Sequence, residues 1–418
     1  MADYNHVSNP NRLSQTAKTN AATCVQNLSN WAHAMDEIGT WPEYTPQPLH
    51  SLSKTAVQLD IANLFVKDES QRFGKDLGSF KALGAPYAVF RILTNEVQAQ
   101  TGVRPTSTEL RSGKYSAITQ RVTVCVATDG NQGRGLAYGA KIFGCRCVDY
   151  IHDHVSAGRA EAMEKLGAIV IRVQGEYEVS VERAKTDAQM NGWHFVSSTS
   201  WDDFGGGIPR NVMNAYMVVA EEAMDMVPRV TDITHVFVCG GVGSIAAMVF
   251  LGFTLHYQKL DWTNDQLPRF VVVEPQEADC LLQSAHQGAP ISSDRSLRTL
   301  MAGLACRAPS PAAWKILSWL ASDFISVPDS VAIQGMKMLA NAPYGDVAII
   351  SGESSAASMG VLLQASSDNV LHEKLGLNSN SQVLIFNLEG ATDPAIFEEL
   401  TGISPQSVLR ARSATLEK

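Results

Sequence analysis

Charge is sparse in this chain of 418 residues: Asp, Glu, Lys and Arg make up 18% of it, and 42 acidic against 33 basic side chains leave a net charge of −9. No run of lysine and arginine offsets that balance locally, so a phosphate backbone would be repelled and nucleic acid is excluded as a partner. The seven cysteines (Cys24, Cys125, Cys145, Cys147, Cys239, Cys280 and Cys306) are odd in number and scattered, with no C-x-x-C pair and no Cys/His group at zinc spacing. This excludes a disulfide framework, predicts no metal site, and fits reduced thiols in the cytoplasm. No window approaches the roughly 18 apolar residues of a membrane span, and the opening MADYNHVSNPNRLSQTAKTN has none of the apolar stretch of a secretory leader. What is present is apolar material in short runs. Hydrophobic residues make up 45% and the mean hydropathy is −0.05, which suits a buried core and argues against disorder. At roughly 100–200 residues per domain, the length predicts two domains or one large α/β unit. A cytoplasmic enzyme is the expected class.

Residues 1–55 are polar and broken by Pro10, Pro42, Pro46 and Pro48, so they read as an arm or loops wrapping a larger body. From Leu64 onward, short β-branched or apolar runs alternate with segments of helical period. The runs are LFVKD (64–68), VTVCVA (122–127), CVDYIH (147–152) and AIVIRV (168–173), followed by 81–99, 132–143, 156–166 and 176–190. The pattern resumes with HVFVCG (235–240) before 243–257 and RFVVVEP (269–275) before 277–287, and a last strand QVLIFNL (382–388) follows helical stretches at 310–321, 328–341 and 356–366. Such alternation is the signature of βα units around parallel sheets covered on both faces. The fold class expected is therefore α/β, two domains with mostly parallel twisted sheets covered by helices. Residues 1–88 plus 205–418 would form the larger domain and 89–204 the smaller.

Three motifs carry chemistry. In KDESQRFGKDLGSFKALGA (67–85) a strand leads through a charged, glycine-bearing loop to Lys81 at the head of a helix. The positive helix end favours the neutral amine that Schiff-base chemistry requires. A lone lysine there also reads as an ordinary snorkelling surface residue. In ATDGNQGRGLAYGAK (127–141) a strand runs into a polar, glycine-spaced turn, and in CGGVGSIAA (239–247) a strand, a glycine loop and a helix form a cradle for a phosphate dianion, with Ser244 adding a hydroxyl. Neither G-x-x-x-x-G-K-[ST] nor G-x-G-x-x-G is present, so the phosphate belongs to something other than a Walker-type nucleotide.

A helix-start lysine, an asparagine-bearing turn and a glycine phosphate loop on successive βα units resemble the fold-type II pyridoxal phosphate enzymes, the tryptophan synthase β-like group, and within it most closely the diaminopropionate ammonia-lyases. KDESQRFG, FKALGA, ATDGNQGRG, VFVCGGVGS, VVEPQEADCL, TLMAGLAC, ISGESSAA and EGATDP carry the likeness, from about residue 60 to 395. The resemblance implies a pyridoxal 5'-phosphate cofactor in the cleft between the domains, and a homodimer. It makes Lys81 the Schiff-base lysine, gives the phosphate to the amides of Gly240, Gly241, Val242, Gly243 and Ser244, and matches Asn131 to the asparagine at the cofactor's phenolic oxygen. Glu353 and Ser354 would lie near the ring or form a helix cap. Asn387 falls where a hydroxyl residue usually reaches the ring nitrogen.

The resemblance also implies catalysis by Asp129, as the base for a D-substrate, beside Lys81. The position of a second aspartate, for the L-isomer, is held by Ser198, with Asp202 and Asp203 on the far side of Trp201. Bases for the two enantiomers must stand on opposite faces of the cofactor, and a serine hydroxyl is too weak a base to act unaided, so a D preference is expected. Asp129 also reads as a simple helix cap. The loop before Lys81 is longer than usual by residues among Gly74, Lys75, Asp76, Leu77 and Gly78. The expected reaction is α,β-elimination of ammonia from the small amino acid 2,3-diaminopropionate, giving pyruvate and ammonia. A serine/threonine dehydratase, a β-replacement enzyme, or a cofactor-binding protein without turnover stay open, because fold and cofactor do not fix the leaving group.

Overall fold

Apolar runs flanked by helices become the centres of two sheets in the computed structural model, which describes residues 4–28, 31–128, 130–200, 207–263 and 266–416. The larger sheet has seven strands in the order β1 (Asn5–Ser8), β10 (Asp323–Val327), β9 (Arg269–Pro275), β8 (His235–Cys239), β11 (Gln382–Asn387), β3 (Asn63–Asp68) and β2 (Leu49–Ser51). The smaller has four: β6 (Ile169–Val173), β5 (Arg146–His152), β4 (Thr123–Ala127) and β7 (His194–Phe195). The smaller sheet is parallel throughout, and the larger is parallel except for its edges β1 and β2. Strands β3, β8, β9 and β11 are buried almost end to end. This is the two-sheet α/β architecture expected. The helix Lys81–Thr101 runs unbroken through the boundary expected at residue 88 and packs on the helices Asn131–Phe143 and Gly207–Met226.

The first 55 residues wrap the body. Strand β1 pairs antiparallel with β10 and β2 with β3, so this segment supplies both edges of the large sheet. His6 and Arg269 close on the buried Asp323 at 3.0 and 2.8 Å. The segment also contains the helix Gln15–Asn27, packed on the helix Pro311–Leu320.

The charged loop KDESQR lies inside the protein. Lys67, Glu69 and Arg72 are buried and meet Glu222 from the helix Gly207–Met226: Lys67 Nζ donates to Glu69 Oε1 and to Glu222 Oε2 at 2.8 Å, and Arg72 reaches the same two carboxylates at 2.7–2.9 Å. Tyr44 Oη and the Gln47 amide donate to Glu222 as well. Two positive and two negative groups thus neutralise one another where no water can. Removing one carboxylate from such a set strands the remaining charges, at a cost of about 3–5 kcal/mol. Glu222→Ala should lower the unfolding free energy by that order in a urea titration; a loss under about 1 kcal/mol would show that the set contributes little.

Candidate active site

Parallel strands present their carboxyl ends on one edge, and in both sheets those ends face a shared cleft. The loop after β3 reaches Lys81, the turn after β4 carries Asn131, the loop after β8 runs from Gly240 to Ser244, and the segment after β11 begins Leu388–Glu389. A cavity of about 590 Å³ lies among them, lined by Lys81, Asn131, Gly240, Gly241, Val242, Ser244, Glu353 and Glu389, with Ser198 in its wall.

Lys81 is the first residue of its helix, and its Nζ lies 5.1 Å from the centre of the Phe80 ring. The turn that aims it is pinned to β11: the Phe80 amide donates to Leu388 O at 3.0 Å, and the Gly390 amide to Gly78 O at 2.9 Å. Lys75 and Asp76 of the lengthened loop are exposed at the rim while Leu77 is buried. The carbonyl of Asp76 accepts a bond from Arg134. Two glycines of the helical stretch after the turn, Gly135 and Gly139, serve packing. A Cβ on Gly135 would sit 2.8 Å from Lys81 O, and one on Gly139 2.6 Å from Pro86 Cα. They let two helices cross backbone to backbone, and the Asn131 helix begins at Asn131 itself.

In the 240–244 loop the amides divide their work. Gly240 N–H continues the sheet to Val273 O at 2.8 Å, and Gly243 N–H turns back to Gly240 O at 3.2 Å. The amides of Gly241, Val242 and Ser244 are left for an anion at the start of the helix Ser244–Lys259. Gly243 does not line the cavity; at φ +92° its missing Cβ would sit 2.7 Å from Leu317 Cδ1. The Ser244 hydroxyl is committed to Ser198 O at 3.0 Å, so only its amide faces the cradle. Behind the loop, the buried Glu274 accepts the amides of Leu281 and Leu282 at 3.0 and 2.8 Å, and burial pushes its carboxyl up to about 8.

Asn131 Nδ2 donates to Glu389 Oε2 at 2.5 Å, and Glu389 Oε1 accepts the Ser354 amide at 3.2 Å. Glu389 was overlooked in the sequence, although it is the acid of EGATDP. Glu353 opens the helix Glu353–Ser367 and pairs with Arg159 from the smaller sheet's side at 2.9 Å. Burial first, then the neighbouring Glu389, pushes the Glu353 carboxyl up to about 7 against the pull of Arg159. Asn387 departs from its expected place. It is absent from the cavity wall, where Leu388 stands instead, and its Nδ2 is spent on Asp68 Oδ1 and Ile350 O at 2.8 Å each. One residue further along a strand points to the opposite face. Asp129, Trp201, Asp202 and Asp203 lie outside the described residues.

The model of the pyridoxal-phosphate dependent enzyme family matches residues 40–386. The chain belongs to that family. It is 36% identical over 364 residues to the diaminopropionate ammonia-lyase of Escherichia coli K12, covering 85% of this chain and 87% of that protein. It is 34% identical over 370 residues to the enzyme of the same name from Salmonella typhimurium, covering 86% and 88%. The crystal structure of the Escherichia coli enzyme in complex with D-serine superposes with a TM-score of 0.78 at 32% identity, covering 96% of this chain and 97% of that one.

The geometry fits the family's cofactor. Gly240 lets the loop lie against the groups behind it, where a Cβ would sit 2.8 Å from Glu274 Cγ, and Gly241 takes φ +64°. The lysine, the free amides and the Asn131–Glu389 pair all border one cavity.

The raised carboxyl of Glu353 has a measurable consequence. A glutamic acid ordinarily titrates near 4.5, so between that pH and about 7 the folded protein keeps a proton that the unfolded chain releases. Stability therefore falls as pH rises through this window. Glu353→Gln removes the contribution, so thermal melts should show the variant gaining on the wild type from pH 5 to pH 8. A gap that stays constant across that range would contradict this.

Proposed function

We propose that this chain eliminates ammonia from 2,3-diaminopropionate; with water as co-reactant the products are pyruvate and two molecules of ammonia. The observation that carries the reading is the meeting of Lys81, the residues Gly241, Val242 and Ser244, and the Asn131–Glu389 pair around one cavity. The likeness to diaminopropionate ammonia-lyases over nearly the whole chain supports it. The resemblance to the family implies a homodimer, and the cysteines, all seven of which are free thiols, fit the cytoplasm.

Bound pyridoxal phosphate supplies an aldehyde for the substrate's α-amine and a ring that withdraws electrons from Cα. Lys81 would hold that cofactor and, once displaced, take or return a proton at Cα. Amides of Gly241, Val242 and Ser244 would hold the phosphate, and Asn131 the phenolic oxygen. Glu353 and Glu389 border the same space, and their separation from bulk water strengthens every charge placed there. Asp129 would be the base for the D-isomer, since Ser198, in the cavity wall, takes the sequence position of the carboxylate that would serve the L-isomer.

A keto-acid assay over both enantiomers of 2,3-diaminopropionate, serine and threonine tests the whole reading. D-2,3-diaminopropionate should be the best substrate, Lys81→Ala should abolish turnover, and Asp129→Asn should lower D turnover by a factor on the order of 10²–10⁴. Release of keto acid from serine or threonine alone would overturn the choice of substrate. Equal rates on the two enantiomers would overturn the assignment of Asp129.

A further inference from the structure

Tyr216 is a buried phenol with no hydrogen-bond partner among the described residues, and it lies in the cavity wall. Its surroundings are apolar. Its ring packs 4.8 Å from the Phe80 ring at 59°, and Val212 and Tyr216 both crowd the Cα of Gly84, where an added Cβ would come within 2.7 Å of Tyr216 Cε1. Gly84 of FKALGA is thus the gap in the Lys81 helix that admits this ring. Burial holds the phenol well above its ordinary value, so it is a neutral donor at any working pH. An unsatisfied hydroxyl in such a wall is a standing cost that phenylalanine would avoid. Its use must therefore come when the contents of the cavity change.

The amine of Lys81 borders the same aromatic ring: Nζ stands 5.1 Å from the Phe80 centroid, and the Tyr216 ring 4.8 Å from it. We propose that the Tyr216 hydroxyl is the docking donor for the Lys81 amine in the state where that amine has been displaced by substrate. The phenol O–H donates to the nitrogen lone pair, no proton is transferred, and the amine is held at one place beside Cα instead of sampling its rotamers. Tyr216 is a positioning residue in this account, acting through Lys81. It rests on Lys81 being the reactive amine, as proposed above.

Tyr216→Phe removes only the oxygen and is tested in the cofactor-loaded enzyme with D-2,3-diaminopropionate, with Lys81→Ala as the control. We expect kcat to fall on the order of tenfold or more, KM to stay within about twofold, and the affinities for pyridoxal phosphate and for pyridoxal, read by fluorescence, to be unchanged. The cofactor-free variant should melt higher than the wild type, because the orphaned hydroxyl is gone. A selective loss of affinity for pyridoxal phosphate over pyridoxal would overturn the proposal by placing the hydroxyl on the phosphate. Wild-type kcat in Tyr216→Phe, with Lys81→Ala inactive, would overturn it while leaving the proposed function intact. An active Lys81→Ala would overturn both.

Discussion

Four buried charges, Lys67, Glu69, Arg72 and Glu222, set the geometry on which the site depends. They join the end of β3 to the helix Gly207–Met226, with the N-terminal segment adding Tyr44 and Gln47. Lys81 follows on one side of this junction, and Tyr216 lies less than two turns before Glu222 on the other. Any slip between the two elements would separate partners of a neutralised set in a dry interior, which is expensive. That is why the lysine and the phenol behind it keep their relative placement.

Around the cavity the same physics is left deliberately incomplete. Glu353 has Arg159 as its ionic partner, while Glu389 accepts the neutral donors Asn131 Nδ2 and the Ser354 amide. Burial and, after it, the neighbouring Glu389 raise the Glu353 carboxyl, and Arg159 offsets them only in part. The contacts that define this pocket cross between the two sheets: Arg159 to Glu353, Asn131 to Glu389, and Ser244 to the carbonyl of Ser198. The site exists only when both halves of the molecule are in register.

Much of this was legible in the amino-acid sequence because βα units write a strong signal. Strands buried on both faces show as unbroken apolar runs, as in RFVVVEP, and these were located to within a residue or two. The helix Gly207–Met226 escaped notice although Asn211, Asn214, Glu221 and Asp225 recur at helical spacing along it. Strand β10, DFISV, was missed because Ser326 breaks its apolar run. At the site, Lys81, Asn131, Gly240, Gly241, Val242 and Ser244 all border the cavity, whereas Gly243 does not, and the Gly240 and Gly243 amides are spent on backbone carbonyls. Asn387 did not stand where its motif pointed, because matching a motif by eye cannot fix a strand's side-chain parity, and a shift of one residue exchanges cavity for core. Glu222 and Tyr216 left no trace, since their importance arises from contacts with residues far away in the chain, Arg72 and Phe80.

The central claim is that Lys81, seated by these contacts, is the residue that carries the cofactor. Reducing the pyridoxal phosphate-loaded protein with borohydride and mapping the modified peptide by mass spectrometry tests it directly. The account predicts a pyridoxyl group on Lys81 and on no other lysine. A label on another lysine, with Lys81 unmodified, would contradict it.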